Sequence, residues 1–215
     1  LTPSLDVSSP DGAIRKAGIA HLTAALETAA ALGSPVLGGV TYAPWLHFPD
    51  GDELGAYTQR SAASLAEVAR AADGLGVKLC VEILNRFETF MLNTVEQGLR
   101  FLELVDHPAV WLELDTFHMN IEEDDLADAI GRAGNRLGHF QCAANTRRAP
   151  QHGRTDWSEV RRALDDVGYD GWVVFETFPD PRVEVGRSTY TWRPLADDRD
   201  IDARGAATLI REQLA

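Results

Sequence analysis

Residues 77–115 read VKLCVEILNRFETFMLNTVEQGLRFLELVDHPAVWLELD. The segments 77–83 and 110–114 are nearly continuous apolar runs, the pattern of strands buried on both faces. Between them, residues 94–105 are expected to form a helix. Strand, helix and strand in that order make a parallel βαβ unit. The same alternation extends both ways along the chain. Upstream, Ser9-Pro10-Asp11 signals a helix start, with Ser9 as the cap residue, a proline in the first turn and then an acid. Apolar residues at helical spacing (Ile19, Leu22, Leu26, Ala30) carry that helix to Gly33. A strand is expected over 35–40, a polar and aromatic loop with Tyr42, Trp45, His47 and Phe48 after it, and an alanine-rich helix over 57–75 closed by Gly76. Downstream, helices are expected at 124–132, 157–167 and 202–214, strands at 137–142 and 172–175, and a polar surface loop over 179–200.

The composition excludes several classes. The 215 residues carry a formal charge of −13, and the basic clusters are limited to Arg147-Arg148 with Arg154 and to Arg161-Arg162. A nucleic-acid partner needs a basic face, so none is expected. No apolar run approaches the roughly 18 residues of a membrane span, so no membrane partner is expected. Cys80 and Cys142 make no disulfide framework and no CxxC, which fits reduced thiols in the cytoplasm.

Four of the expected strands end in a polar residue able to bind a cation: Glu82, Asp115, Gln141 and Glu176. Successive ends of parallel barrel strands converge on one mouth. Carboxylates brought together there repel one another, and a divalent cation relieves that repulsion. Oxygen ligands favour Mg²⁺ or Mn²⁺ over Zn²⁺. Each residue also has a plainer reading. Asp115 alone would serve as a helix cap, and Gln141 alone as an ordinary hydrogen-bonding side chain. Glu82 and Glu176 follow apolar residues directly, where an unpaired carboxylate is costly.

Four motifs carry a family likeness. Val81-Glu82-Ile83-Leu84-Asn85-Arg86-Phe87-Glu88 and Leu114-Asp115-Thr116-Phe117-His118-Met119-Asn120-Ile121-Glu122-Glu123 closely resemble signatures of the D-tagatose 3-epimerase and D-psicose (allulose) 3-epimerase family, in the xylose-isomerase-like TIM-barrel superfamily. Gly138-His139-Phe140 with Arg147, Pro150 and Gly153-Arg154 resembles its third motif, and Gly168-Tyr169-Asp170-Gly171 ahead of Glu176 its fourth. The likeness runs from about Ser9 to the C-terminus. It implies an α/β fold of the (β/α)8 TIM-barrel type, in one domain over residues 1–215. Leu1 would then fall just after the family's third strand, so that strands four to eight are present and an N-terminal part of the working protein is expected to precede them.

The resemblance further implies a ketose 3-epimerase acting on free ketohexoses or ketopentoses through an enediolate. A divalent metal, Mn²⁺ with Mg²⁺ or Co²⁺ as alternatives, would be held by Glu82, Asp115, Gln141 and Glu176. Glu82 and Glu176 would be the catalytic acid/base pair, and Glu88, His118 and Arg147 would contact the sugar. A homodimer or homotetramer is the family's habit. Two departures stand out. The family's fourth ligand is a histidine where this chain has Gln141. The following Gly-Glu-Ala/Cys-Asn is here Ala143-Ala144-Asn145-Thr146. A His-x-Gln strand resembles instead the hydroxypyruvate isomerase branch, where a glutamine is the ligand, so an aldose–ketose or hydroxypyruvate-type isomerase and a non-catalytic sugar-binding descendant stand as alternatives. Apurinic endonucleases share the superfamily fold, but six scattered histidines and the acidic charge argue against that activity.

Overall fold

The structure is a computed structural model that describes residues 1–50 and 53–214. After a 3₁₀ turn at Pro3–Leu5 comes helix α1 (Gly12–Ala31). Its cap is Asp11, whose side chain accepts from Ala13 N, and not Ser9 as the sequence suggests. The Ser9 hydroxyl accepts instead from Asp11 N at 3.1 Å. Strand β1 (Val36–Leu37) is shorter than the expected 35–40. The chain leaves strand geometry at Gly38-Gly39, where Gly39 adopts φ 115°, open only to glycine. Helix α2 (Leu54–Leu75) ends as expected on Gly76, in the left-handed region with its N–H on the carbonyls of Ala72 and Asp73.

Strand β2 (Lys78–Ile83) leads to α3 (Val95–Val105), which opens with a reciprocal capping box between Thr94 and Gln97. Strand β3 (Val110–Asp115) runs straight into α4 (Thr116–Glu122), a helix the sequence pattern did not separate from the motif, and then α5 (Leu126–Ala133). Strand β4 (Leu137–Cys142), α6 (Trp157–Asp166) and β5 (Val173–Phe175) follow. The segment expected as a plain loop over 179–200 contains α7 (Glu184–Ser188), and the last helix α8 (Arg199–Leu209) starts earlier than 202 because the Asp198 side chain caps it. It passes into a π turn at Ile210–Leu214. No helix of the described residues is long and apolar enough to cross a membrane.

The strands form one parallel sheet in the order β1-β2-β3-β4-β5. Neighbours in sequence are neighbours in the sheet, the winding of a (β/α) barrel, of which eight strands make the closed form. Side chains alternate across the sheet. Val81, Ile83, Leu112 and Leu114 are buried. Gly98 of α3 sits against Ile83 and Leu112, marking theirs as the helix-covered face. Each such aliphatic side chain stabilises by about 1.5–3 kcal/mol when fully buried. The opposite face carries Cys80, Glu82, Trp111, Glu113, Asp115 and Gln141. Its polar members belong to the site.

A register shift between Leu112 and Glu113 keeps β4 in phase with that face. Gly138 lies at the shift, where an added Cβ would sit 2.5 Å from Trp111 Cβ and 2.7 Å from Cys80 Sγ. Neither atom has a flexible stem on which to retreat. Gly138→Ala is therefore expected to destabilise by about 1–3 kcal/mol, the range for overpacking. Urea unfolding checks this, and an unchanged midpoint would contradict it.

Candidate active site

The polar ends of β2, β3 and β4 and the segment after β5 meet on the uncovered face. Glu82 is buried at the end of β2. The loop after β2 turns back so that Asn85 Nδ2 donates to Glu88 Oε1 at 2.8 Å. Trp45, from the loop after β1, donates its indole N–H to Glu88 Oε2, also at 2.8 Å. Both oxygens of Glu88 are thus oriented. His118 lies on α4, fully buried, with Nδ1 accepting the backbone N–H of Asn85 at 3.2 Å. That bond assigns the imidazole proton to Nε2, which faces Glu82 Oε1 at 3.6 Å. Burial holds the His118 pKa below its usual value, so the ring is neutral.

Asp115 fills two roles at once. Its Oδ1 accepts from Phe117 N at 2.8 Å and caps α4. Its Oδ2 faces the mouth and pairs with Arg147, whose other amino group pairs with Glu176. Arg147 is on the loop after β4, in left-handed backbone geometry at φ 63°. Two bonds fix that turn: Arg147 N donates to Ala144 O at 2.8 Å, and Thr177 Oγ1 donates to Arg147 O at 2.8 Å. Phe117 and Phe178 stand over its guanidinium, each ring centre 4.7 Å away. The position expected to meet a sugar thus also bridges two of the expected metal ligands.

The electrostatics follow from this crowding. Burial raises the Glu82 pKa well above the carboxylate range, and the charges of Glu113, Asp115 and Glu176 raise it further. Glu176 is raised by burial, against the pull of Arg147. Burial alone would lower Arg147, but Asp115 and Glu176 outweigh it and the guanidinium stays charged. Glu113, one strand step below Asp115, was absent from the sequence reading. Burial pushes its pKa up to about 8, with a backbone hydrogen bond from Gly39 opposing.

The donor set suits a divalent cation. Glu82 and Asp115 offer carboxylate oxygens within 4.8 Å of one another, beside His118, whose Nδ1 already accepts from Asn85 and whose Nε2 carries the proton. Gln141, beside Asp115 in the β3–β4 register, has its Oε1 buried without a hydrogen-bond partner among the described residues. A buried amide oxygen of this kind calls for a donor or a cation. Two carboxylates with raised pKa values and an orphan amide oxygen are groups that a hard cation would satisfy together.

Residues 1–197 match the family model for the xylose isomerase-like TIM barrel. The chain belongs to this family. Within it, the similarity is to sugar 3-epimerases. A D-psicose 3-epimerase of Ruminiclostridium cellulolyticum is 39% identical over 95% of this chain and 71% of its own length. One of Agrobacterium fabrum is 39% identical over 96% of this chain and 73% of its own. The crystal structure of a D-psicose 3-epimerase with D-tagatose from Clostridium cellulolyticum H10 superimposes with a TM-score of 0.94, at 38% identity, over 99% of this chain and 76% of that one. The fold expected from the four motifs is therefore the fold found. As members of a xylose isomerase-like barrel, the five strands place Glu82, Asp115, Gln141 and Glu176 toward the end where the strands' C-termini lie, the face on which barrels of this kind carry their chemistry.

Proposed function

We propose that the protein is a metal-dependent ketose 3-epimerase acting on free ketohexoses or ketopentoses. The observation that carries this reading is the crowding of two glutamates with raised pKa values around the Arg147–Asp115 pair, Glu82 within 4.8 Å of Asp115 and Glu176 bonded to Arg147. Its relatives named D-psicose 3-epimerase support the substrate class. Glu82, Asp115, Gln141 and Glu176 are the proposed ligands of a divalent metal, Mn²⁺ in preference to Mg²⁺ or Co²⁺. When bound, such a cation supplies Lewis-acid stabilisation of negative charge developing on the sugar's oxygens.

The protein's own groups do the rest. One of Glu82 and Glu176 takes the proton from C3 of the ketose, and the other returns a proton to the opposite face. Burial favours the protonated form of both groups, so each can hold a proton as well as release one, as a general acid or base must. Glu88 is held rigid by Trp45 and Asn85 to accept a sugar hydroxyl. Neutral His118, with its proton on Nε2, donates to a sugar oxygen, and Arg147 steadies the charge of the mouth. A homodimer or homotetramer is the proposed assembly, and the residues 1–215 one domain of it. The test is a screen of ketohexoses and ketopentoses against the protein supplied with Mn²⁺, read by NMR. A C3 epimer is the expected product. An aldose in its place would favour the aldose–ketose isomerase reading that Gln141 brings to mind.

Gln141 gives a separate prediction. An amide oxygen is a harder donor than an imidazole nitrogen. Gln141→His is expected to tighten Co²⁺ and Mn²⁺ binding relative to Mg²⁺, measured by titration calorimetry, with activity held or raised. The change should fall on the scale of about 10–100-fold seen when even an outer partner of a metal site is lost. If Gln141→His and Gln141→Ala both leave metal affinity unchanged, Gln141 is not a ligand.

A further inference from the structure

We propose that Glu113 is a positioning residue for the proton transfer, holding the N–H of Gly39 and, through the carbonyl of the same residue, the backbone of Glu82; this rests on the epimerase reading above. Glu113 lies in the middle of β3, between Leu112 and Leu114, and is 2% exposed. A carboxylate in such a place is costly without partners. The only hydrogen bond it receives among the described residues is from Gly39 N to Oε2, at 2.7 Å. The same Gly39 accepts through its carbonyl from Glu82 N at 3.1 Å. One residue is thus held at both of its backbone polar groups, its N–H by the Glu113 carboxyl and its carbonyl by the backbone N–H of the proposed catalytic glutamate.

The backbone is shaped for this grip. A Cβ on Gly38 would overlap the Glu113 carboxylate. Gly39 takes φ 115°, which a side chain would resist. The paired part of β1 ends at Leu37, so beyond it the Glu113 side chain, with Glu82 N, fixes the course of the chain. That chain continues as the loop bringing Trp45 to Glu88. Glu113 therefore stands behind both Glu82 and Glu88, reaching them through the Gly39 backbone and the loop that follows it. Apolar packing would stabilise the same spot at lower desolvation cost, but it would not accept the Gly39 N–H. Misplacement of a reacting group by about 1 Å, from a change remote from the chemistry, can cost on the order of 10²-fold in rate.

The experiment compares wild type with Glu113→Gln, Glu113→Leu and Glu113→Asp in the metal-supplied protein. It reads kcat and KM on D-psicose, thermal unfolding, and the ¹H–¹⁵N shifts of the Gly39 and Glu82 amides. Glutamine keeps an acceptor of the same length, so its Gly39 amide should stay near the wild-type position and most of kcat should be rescued. Leucine removes the acceptor, and both amides should move. Its kcat should fall by about 10- to 10²-fold with KM nearly unchanged. Aspartate keeps the carboxyl group but draws the oxygen back by one methylene. It should resemble leucine in kcat, and it serves in place of leucine if that variant does not fold. Unmoved amides in leucine or aspartate would overturn the grip itself. Moved amides with wild-type kcat would overturn its role in the reaction. A wild type that epimerises no ketose would instead sink the epimerase reading and the positioning role with it, while the amide shifts would still report on the grip.

Discussion

Glu82→Gln and Glu176→Gln are each expected to stop epimerisation while leaving the fold intact. Each substitution removes a group that carries a proton and one charge of the proposed metal site. Positioned acid/base groups contribute about 10²–10⁴-fold, and kcat should fall at least that far. The fold should survive for a different reason in each case. At Glu82 the substitution replaces a carboxyl whose ionisation burial and the charges of Glu113, Asp115 and Glu176 already oppose, so thermal stability should hold or rise. At Glu176, a partly exposed position, the amide oxygen still accepts from Arg147. Steady-state kinetics beside circular dichroism and a melting curve separate the two quantities. Turnover within a few-fold of wild type in either variant would remove that glutamate from the reaction.

Asp115 is expected to show the opposite balance, with stability and metal binding lost together. It is fully buried and pairs with Arg147. Removing one partner of a buried ion pair typically costs about 3–5 kcal/mol, and Glu176, which still pairs with Arg147, holds the loss toward the lower end. Asp115→Ala also removes the cap of α4, a further loss of about 0.5–2 kcal/mol. Asp115→Asn keeps an acceptor for Phe117 N, so it should lose less than alanine by about the value of the cap. Both should weaken Mn²⁺ binding by calorimetry, and chelation of wild type should abolish turnover. Full activity after EDTA treatment and removal of free metal would contradict the proposed metal dependence.

Much of the molecule was legible in its sequence because strand and helix periods are written in apolar residues. The runs at 77–83, 110–114 and 137–142 fall within a residue of β2, β3 and β4, and Gly76 closes α2 as its chemistry demands. Other features were not read from it, for physical reasons. β1 shrinks to Val36–Leu37 because Glu113, distant in sequence, needs glycine backbone beside it. Asp198 moved the start of α8, and a cap one turn upstream is easily lost in a polar loop. Glu113 itself was passed over within an apolar run, although its two-residue spacing from Asp115 put it on the same face. The motif residues Glu82, Glu88, Asp115, His118, Arg147 and Glu176 do converge on one side of the sheet. The bridge that Arg147 makes between Asp115 and Glu176 is a long-range contact that no local pattern records.

The two-glutamate mechanism is tested most directly by running the reaction on D-psicose in deuterium oxide, with the metal-supplied protein, and following C3 by NMR. Proton removal by one glutamate and return by the other passes through a side chain that exchanges with solvent. The predicted result is a C3 epimer carrying one deuterium at C3, formed by wild type and lost in Glu82→Gln and Glu176→Gln. An epimer formed with no deuterium at C3, or deuterium entering at C1 with an aldose as product, would contradict it.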